Sequence, residues 1–125
     1  MLKYILIADD EEVNRDILQE VLKDSYEVYC VKDGLDCIKS IEDRIPDLLL
    51  LDVAMPGMTG IEVAKKIRSE SMTANIPIIM LSGYASDDDV KNGLASGANI
   101  YIAKPFDLVE LLDAVKDLLS SLDDV

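Results

Sequence analysis

Five short apolar runs, each followed by an amphipathic stretch, constrain the fold of this chain more than any other feature. The runs cover residues 4–8, 26–31, 48–51, 76–81 and 100–103. Short, near-continuous apolar runs suit strands buried on both faces of a parallel sheet. Residues 26–31 alternate more, with Val28 and Cys30 set against Glu27 and Tyr29, as an edge strand does.

Between the runs the periodicity becomes helical. Val13, Ile17, Val21 and Leu22 are expected to line one face of the first helix. Ile38 and Ile41 mark the second, entered through Asp33-Gly34, and Ile61, Ala64 and Ile67 mark the third. Val90 and Leu94 mark the fourth, after the start signal Ser86-Asp87-Asp88-Asp89. Leu108, Leu111, Leu112, Val115, Leu118 and Leu119 form the clearest stripe, with Asp107 placed to cap that last helix. Strand and helix in alternation predict an α/β fold with a doubly wound, five-stranded parallel sheet. The expected strand order is 2-1-3-4-5, which puts the ligand crevice at the carboxyl ends of strands one and three.

Those ends carry acids. The first strand runs into Asp9, Asp10, Glu11 and Glu12, and the third ends on Asp52. Packing Asp9, Asp10 and Asp52 together is unfavourable unless a cation shares the site. All-oxygen donors favour a hard divalent ion, and magnesium (Mg2+) fits best because it takes few protein oxygens and keeps its waters. An ion held this way also favours a phosphoryl group, whose oxygens complete the shell. Asp52 is the candidate nucleophile, since a carboxylate can accept a phosphoryl group as an acyl phosphate. Alone, acids after a strand can also simply cap the next helix.

Three further features point at the same end of the sheet. Met55-Pro56-Gly57 is a turn in which Gly57 can take the positive φ of a type II turn. Ser82 ends the fourth apolar run and can donate its hydroxyl to a phosphoryl oxygen, although a serine before Gly83 also suits ordinary turn chemistry. Lys104 ends the fifth run, where a charge must find a partner, and the acid cluster is a natural one. The Lys104-Pro105 bond is one that can be cis.

Composition narrows the function. The chain has 125 residues, half of them hydrophobic, so one domain over residues 1–125 with a real core is expected. No run is long enough to span a bilayer, and the opening Met1-Leu2-Lys3-Tyr4 lacks a signal-peptide pattern, so a cytoplasmic location is expected. Twelve basic residues against 25 acidic ones give a net charge of −13. That sign argues against direct nucleic-acid or membrane binding. Histidine is absent, so any phosphohistidine donor must be another protein. Cys30 and Cys37 have the spacing of neither a zinc site nor a redox pair and are expected as a strand and a helix residue near the core.

Asp9-Asp10, the segment LLLLDVAMPGMTG around Asp52, Leu81-Ser82-Gly83 and Tyr101-Ile102-Ala103-Lys104-Pro105-Phe106 occur in that order. Together they resemble the receiver domain of bacterial two-component response regulators, over essentially the whole chain. The resemblance implies a flavodoxin-like, CheY-like fold. It implies that Asp52 accepts phosphoryl from a histidine kinase, from a histidine phosphotransfer protein, or from a small donor such as acetyl phosphate. Asp10, Asp52 and the backbone carbonyl of Ala54 would bind magnesium directly, with Asp9 acting through water. Ser82 and Lys104 would hold the phosphoryl oxygens, and Tyr101 would be the switch aromatic, turning inward when Ser82 moves. Ala54 and Tyr84 would tune the phosphoryl lifetime. The protein would not be an enzyme beyond assisting its own phosphorylation and dephosphorylation. It would change partner binding through the face of helix four, strand five and helix five. The exposed side of helix one, with Asn14 and Arg15, is a candidate docking face.

Three rival readings share the fold. A degenerate receiver would bind partners without phosphorylation, yet all five expected side chains are present. An aspartate-nucleophile phosphatase usually carries a second acid two residues after the nucleophile, where this chain has Ala54. A flavin or nucleotide binder would need a glycine-rich loop after strand one, where acids stand instead.

Overall fold

In the computed structural model, which describes residues 2–123, the five apolar runs are strands and the stretches between them are helices. In chain order these are β1 (Tyr4–Ala8), α1 (Glu12–Leu22), β2 (Glu27–Val31), α2 (Gly34–Asp43), β3 (Leu48–Asp52), α3 (Gly60–Ser69), β4 (Ile78–Ser82), α4 (Asp87–Ser96), β5 (Ile100–Ala103) and α5 (Leu108–Asp123). All neighbouring strands are parallel, in the order β2-β1-β3-β4-β5. Fold class and strand order match the expectation from the apolar runs.

Every residue of β1, β3 and β4 is buried, which is why these runs do not alternate. Leu6, Ala8, Leu49, Leu51, Ile78 and Met80 pack on one face with Cys37 and Ile41 of α2 and Val63, Ala64 and Ile67 of α3. Ile5, Ile7, Leu48, Leu50, Ile79 and Leu81 pack on the other with Leu18 and Leu22 of α1 and Leu111, Val115 and Leu119 of α5. The edge strand β2 is half-exposed. It starts one residue later than its apolar run, because the Tyr26 N–H closes the preceding turn onto the Leu22 carbonyl. β4 starts after Pro77, which has no N–H to give a ladder.

Two helix faces differ from expectation. In α1 Leu22 is buried and Val21 packs against the core as expected, but the other buried residue is Leu18, while Val13 and Ile17 are 67% and 41% exposed. The helix carries two apolar stripes, and the sheet takes the one that meets Ile5 and Ile7. In α4 the buried residues are Gly93 and Ser96, and Leu94 faces outward. The small residues let this helix close against its neighbours. The caps follow the sequence signals: Ser86 and Asp89 form a capping box, Thr59 and Glu62 form another, and Asp33 accepts the Asp36 N–H. Asp107 accepts from the N–H groups of Val109 and Glu110 at the start of α5. Cys37 is buried in α2 and burial pushes its thiol to about 12; Cys30 is half-buried in β2.

The start of α2 supports the loop after β3. A Cβ on Gly34 would overlap the carbonyl group of Met58. Gly34→Ala is therefore expected to destabilise the protein by about 1–3 kcal/mol, despite alanine's better helix propensity. Urea unfolding measures this; an alanine variant as stable as the parent would show that the loop yields freely.

Candidate functional site

The parallel sheet brings the carboxyl ends of β1, β3, β4 and β5 to one edge. Asp9 follows Ala8 directly, and its N–H continues the ladder onto the Val31 carbonyl, so its position is set by the sheet. Asp52 is the last residue of β3, paired in register with Leu81. Carboxylate oxygens of Asp9, Asp10, Glu11 and Asp52 all lie within 4.8 Å of one another. Asp9 and Asp52 are only 1% and 4% exposed, whereas Asp10 and Glu11 reach solvent.

Lys104 closes the cluster. Its backbone N–H donates to the Ser82 carbonyl at 2.7 Å, an extension of the β4–β5 ladder, and the Lys104-Pro105 bond is cis. Its Nζ donates to Asp9 Oδ2 at 2.9 Å and lies 3.4 Å from Asp52 Oδ1 and 3.6 Å from Glu11 Oε1. One ammonium thus faces several carboxylates. Burial works against the charge on Lys104, but the bond to Asp9 and the fields of Asp52 and Asp9 outweigh it, so its pKa is raised. Asp52 is pushed up to about 7, by burial first and by Asp9 second, with Lys104 opposing. A carboxylate held at that cost is a strong cation seeker.

The two oxygens of Asp9 are already engaged. Oδ2 takes Lys104 and Oδ1 accepts the Glu11 N–H at 2.9 Å. A metal ion bound directly to Asp9 would share those oxygens with the two donors. Asp10 is exposed toward a cleft lined by Asp52, Ala54, Asn14, Tyr84 and Lys104. The donor set is oxygen throughout and mixes buried with solvent-facing carboxylates. That suits an ion that keeps part of its water shell, as magnesium does.

Ser82 is fully buried, and its Oγ accepts the Tyr84 N–H at 3.0 Å, leaving the hydroxyl proton free to be donated. The Tyr101 hydroxyl donates to the Tyr84 carbonyl. Gly57 has φ of +73°, as the turn chemistry requires, and Gly60 N–H closes the loop onto Val53 at 2.9 Å. Ala54 is exposed, and its N–H points at Asp52 Oδ1 at 3.4 Å.

The structure thus brings Asp9, Asp10, Asp52 and Lys104 together, with Ala54 and Tyr84 at the cleft and Ser82 joined to Tyr84. Glu11 joins the cluster in addition to the three aspartates expected there; its place in the run of acids after β1 is the signal for it. Asn14 and Arg15 are half-buried, and Arg15 Nη1 donates to the Asp9 carbonyl at 2.9 Å. The outward apolar side chains of α1 are instead Val13 and Ile17.

Known proteins share this fold. The model of the response regulator receiver domain matches residues 5–116. A chain assigned as a response regulator from Chloroflexus aurantiacus is 34% identical with a TM-score of 0.91, over 96% of this chain and 99% of that one. The chemotaxis protein CheY4 of Vibrio cholerae is 31% identical with a TM-score of 0.88, over 94% and 99%. The receiver domain of sensor histidine kinase PA1611 from Pseudomonas aeruginosa is 30% identical with a TM-score of 0.88, over 96% and 99%. That structure has a magnesium ion coordinated in its active-site cleft. An acid cluster closed by a strand-end lysine, on a sheet ordered 2-1-3-4-5 and matched over nearly its full length, places this chain in the response regulator receiver domain family of two-component signalling.

Proposed function

We propose that this receiver is a phosphorylation-driven switch with Asp52 as the acceptor. The observation that carries the reading is Lys104 Nζ held between Asp9 and Asp52 within a cluster of carboxylates. A carboxylate oxygen of Asp52 attacks phosphorus, and the bond from phosphorus to the donor breaks. The donor is a phosphohistidine of a histidine kinase or a histidine phosphotransfer protein, whose imidazole leaves, or acetyl phosphate, from which acetate leaves. Phosphoryl transfer asks for alignment and charge neutralisation more than for covalent help.

Asp10, Asp52 and the Ala54 carbonyl would hold magnesium, with Asp9 reaching it through water. Bound there, the ion neutralises charge on the acceptor and on the phosphoryl oxygens. Lys104 leaves its carboxylates for a phosphoryl oxygen, and Ser82 donates to another. Each charge-assisted contact contributes roughly 1.5–3 kcal/mol. Moving a 1:99 equilibrium to 99:1 takes about 5.5 kcal/mol, so two or three such contacts suffice. Ser82 is joined to the Tyr84 peptide and Tyr84 to Tyr101, so the pull on Ser82 reaches β5 and the α4–β5–α5 face. Partner affinity changes there. The chain assists its own phosphorylation and dephosphorylation and does no other chemistry. Among the described residues no helix is long and apolar enough to cross a membrane, and cytoplasmic action goes with this reading.

Magnesium at millimolar concentration is expected to raise the melting temperature by several degrees at pH 8, and beryllofluoride added with it to raise it further. EGTA, which prefers calcium over magnesium, must leave most of that shift intact, and excess EDTA must abolish it. A protein unchanged by magnesium, and unmodified when given magnesium and acetyl phosphate, would end the proposal.

Ala54 brings no polar group to position an attacking water, and the exposed Tyr84 stands at the cleft. Self-dephosphorylation is therefore expected to be slow. Decay of the purified phosphoprotein, followed by intact-mass spectrometry, checks this; loss within seconds refutes it.

A further inference from the structure

Gly93 lies inside α4, where a glycine costs about 1 kcal/mol against alanine. Its backbone gives no reason for that cost, since among the described residues only Gly57 and Gly97 take positive φ. Space gives one. A Cβ at position 93 would fall 2.5 Å from both Cδ2 and Cε2 of Tyr101 and 3.2 Å from Met80 Sδ. The tyrosine ring lies against the bare helix backbone at this residue. The far end of the same side chain donates its hydroxyl to the Tyr84 carbonyl, and the Tyr84 N–H donates to Ser82 Oγ. Tyr101 is thus held at two points, by the surface that Gly93 leaves open and by the loop between β4 and α4.

We infer that Gly93 is a positioning residue: by omitting a side chain it seats the Tyr101 ring against α4, where its hydroxyl ties β5 to the loop that follows Ser82. The inference deepens the switch proposed above and rests on it only for its functional consequence. A methyl group at position 93 drives the ring off the helix. The hydroxyl then loses the Tyr84 carbonyl, and a pull on Ser82 no longer reaches β5. Met80 cannot relieve the clash, because the ring atoms lie nearer than its sulfur does.

The test is a four-protein cycle of parent, Gly93→Ala, Tyr101→Ala and the double variant. Thermal melts in EDTA come first. Gly93→Ala is expected to leave unchanged or lower the melting temperature of the parent, and to raise it by a few degrees once Tyr101 is alanine. An equal rise in both backgrounds overturns the inference. If Gly93→Ala folds only when Tyr101 is also removed, that suppression supports it. If Gly93→Ala is unfolded in both backgrounds, the obstacle is not the ring and the inference fails.

Beryllofluoride titration with magnesium then reads the coupling. Each single variant is expected to weaken binding about fivefold, and the double variant no more than either alone. Independent, multiplying losses would overturn the role in coupling. A parent that binds no beryllofluoride removes the switch proposal instead, while the melts still decide whether Gly93 seats Tyr101.

Discussion

Asp52→Asn is expected to abolish phosphoryl uptake and, in the same molecule, to stabilise the metal-free protein at pH 8. Asparagine keeps the shape of the side chain and removes a buried negative charge that sits beside Asp9. The parent carboxyl is pushed up to about 7 in the folded chain, against the ordinary value of 3.8. A carboxyl raised on folding contributes best when protonated. Its effect on stability is therefore neutral below the ordinary value, grows unfavourable as pH rises toward 7, and is constant above that. A gap of about three pH units at about 1.4 kcal/mol each sets a ceiling near 4 kcal/mol. Relaxation and water penetration bring the expected gain to about 1–3 kcal/mol, or several degrees in melting temperature. Melts in EDTA at pH 4 and pH 8 make the check: the variant should gain at pH 8 and match the parent at pH 4. A variant less stable than the parent at pH 8 would show that Asp52 is compensated in a way the cluster's geometry does not reveal. Loss of phosphoryl uptake is read separately, by mass spectrometry after acetyl phosphate and magnesium.

Lys104→Met is expected to act in the opposite direction. The ammonium is the cation held within hydrogen-bonding reach of Asp9 and close to Asp52 and Glu11. Removing it leaves buried carboxylates facing one another, and breaking such a pair costs about 3–5 kcal/mol. The pKa of Lys104 is raised, so its stabilising charge is present throughout the working range and is lost only when pH rises through its folded value. The variant should therefore be weak at pH 8 in EDTA. It should recover as acid protonates the carboxylates, and recover partly with magnesium, which supplies positive charge to the same oxygens. Urea unfolding across pH, with and without magnesium, measures all three effects. If Asp52 is the acceptor, this variant should still take up phosphoryl while losing the stabilisation that beryllofluoride confers on the parent. Equal stability at pH 8 without metal would contradict the role of Lys104 as the cluster's counter-charge. Together the two variants separate the acceptor from its counter-ion: one removes a charge the fold resists, the other removes the charge that makes it tolerable.

The apolar runs already held the sheet. A strand buried on both faces has no choice but continuous hydrophobicity, and alternation with helical periods leaves few ways to connect such strands. Asp9, Asp52, Ser82 and Lys104 were legible for the same reason, since each is a polar residue that ends a buried run and a parallel sheet collects such ends at one edge. Which stripe of α1 faces the core was not legible. Val13 and Ile17 compete with Leu18 on hydrophobicity alone, and only the partners waiting on the sheet settle it.

Other contacts between residues far apart in the chain, away from the strand ends, were likewise invisible beforehand. Arg68 donates to the carbonyls of Gly97 and Ala74 and to Asn99 Oδ1, binding the end of α3 to the entry of β5. Glu11 joins the acid cluster because the chain turns back over Asp9, and Gly93 is bare because an aromatic ring arrives from β5. The sequence by itself determined the elements, their order and the chemical character of the site, because local periodicity and charge depend on neighbours along the chain. Tertiary structure alone decided which surfaces touch, how many carboxylates share one ammonium and where Tyr101 rests, because those depend on distances that no local pattern encodes.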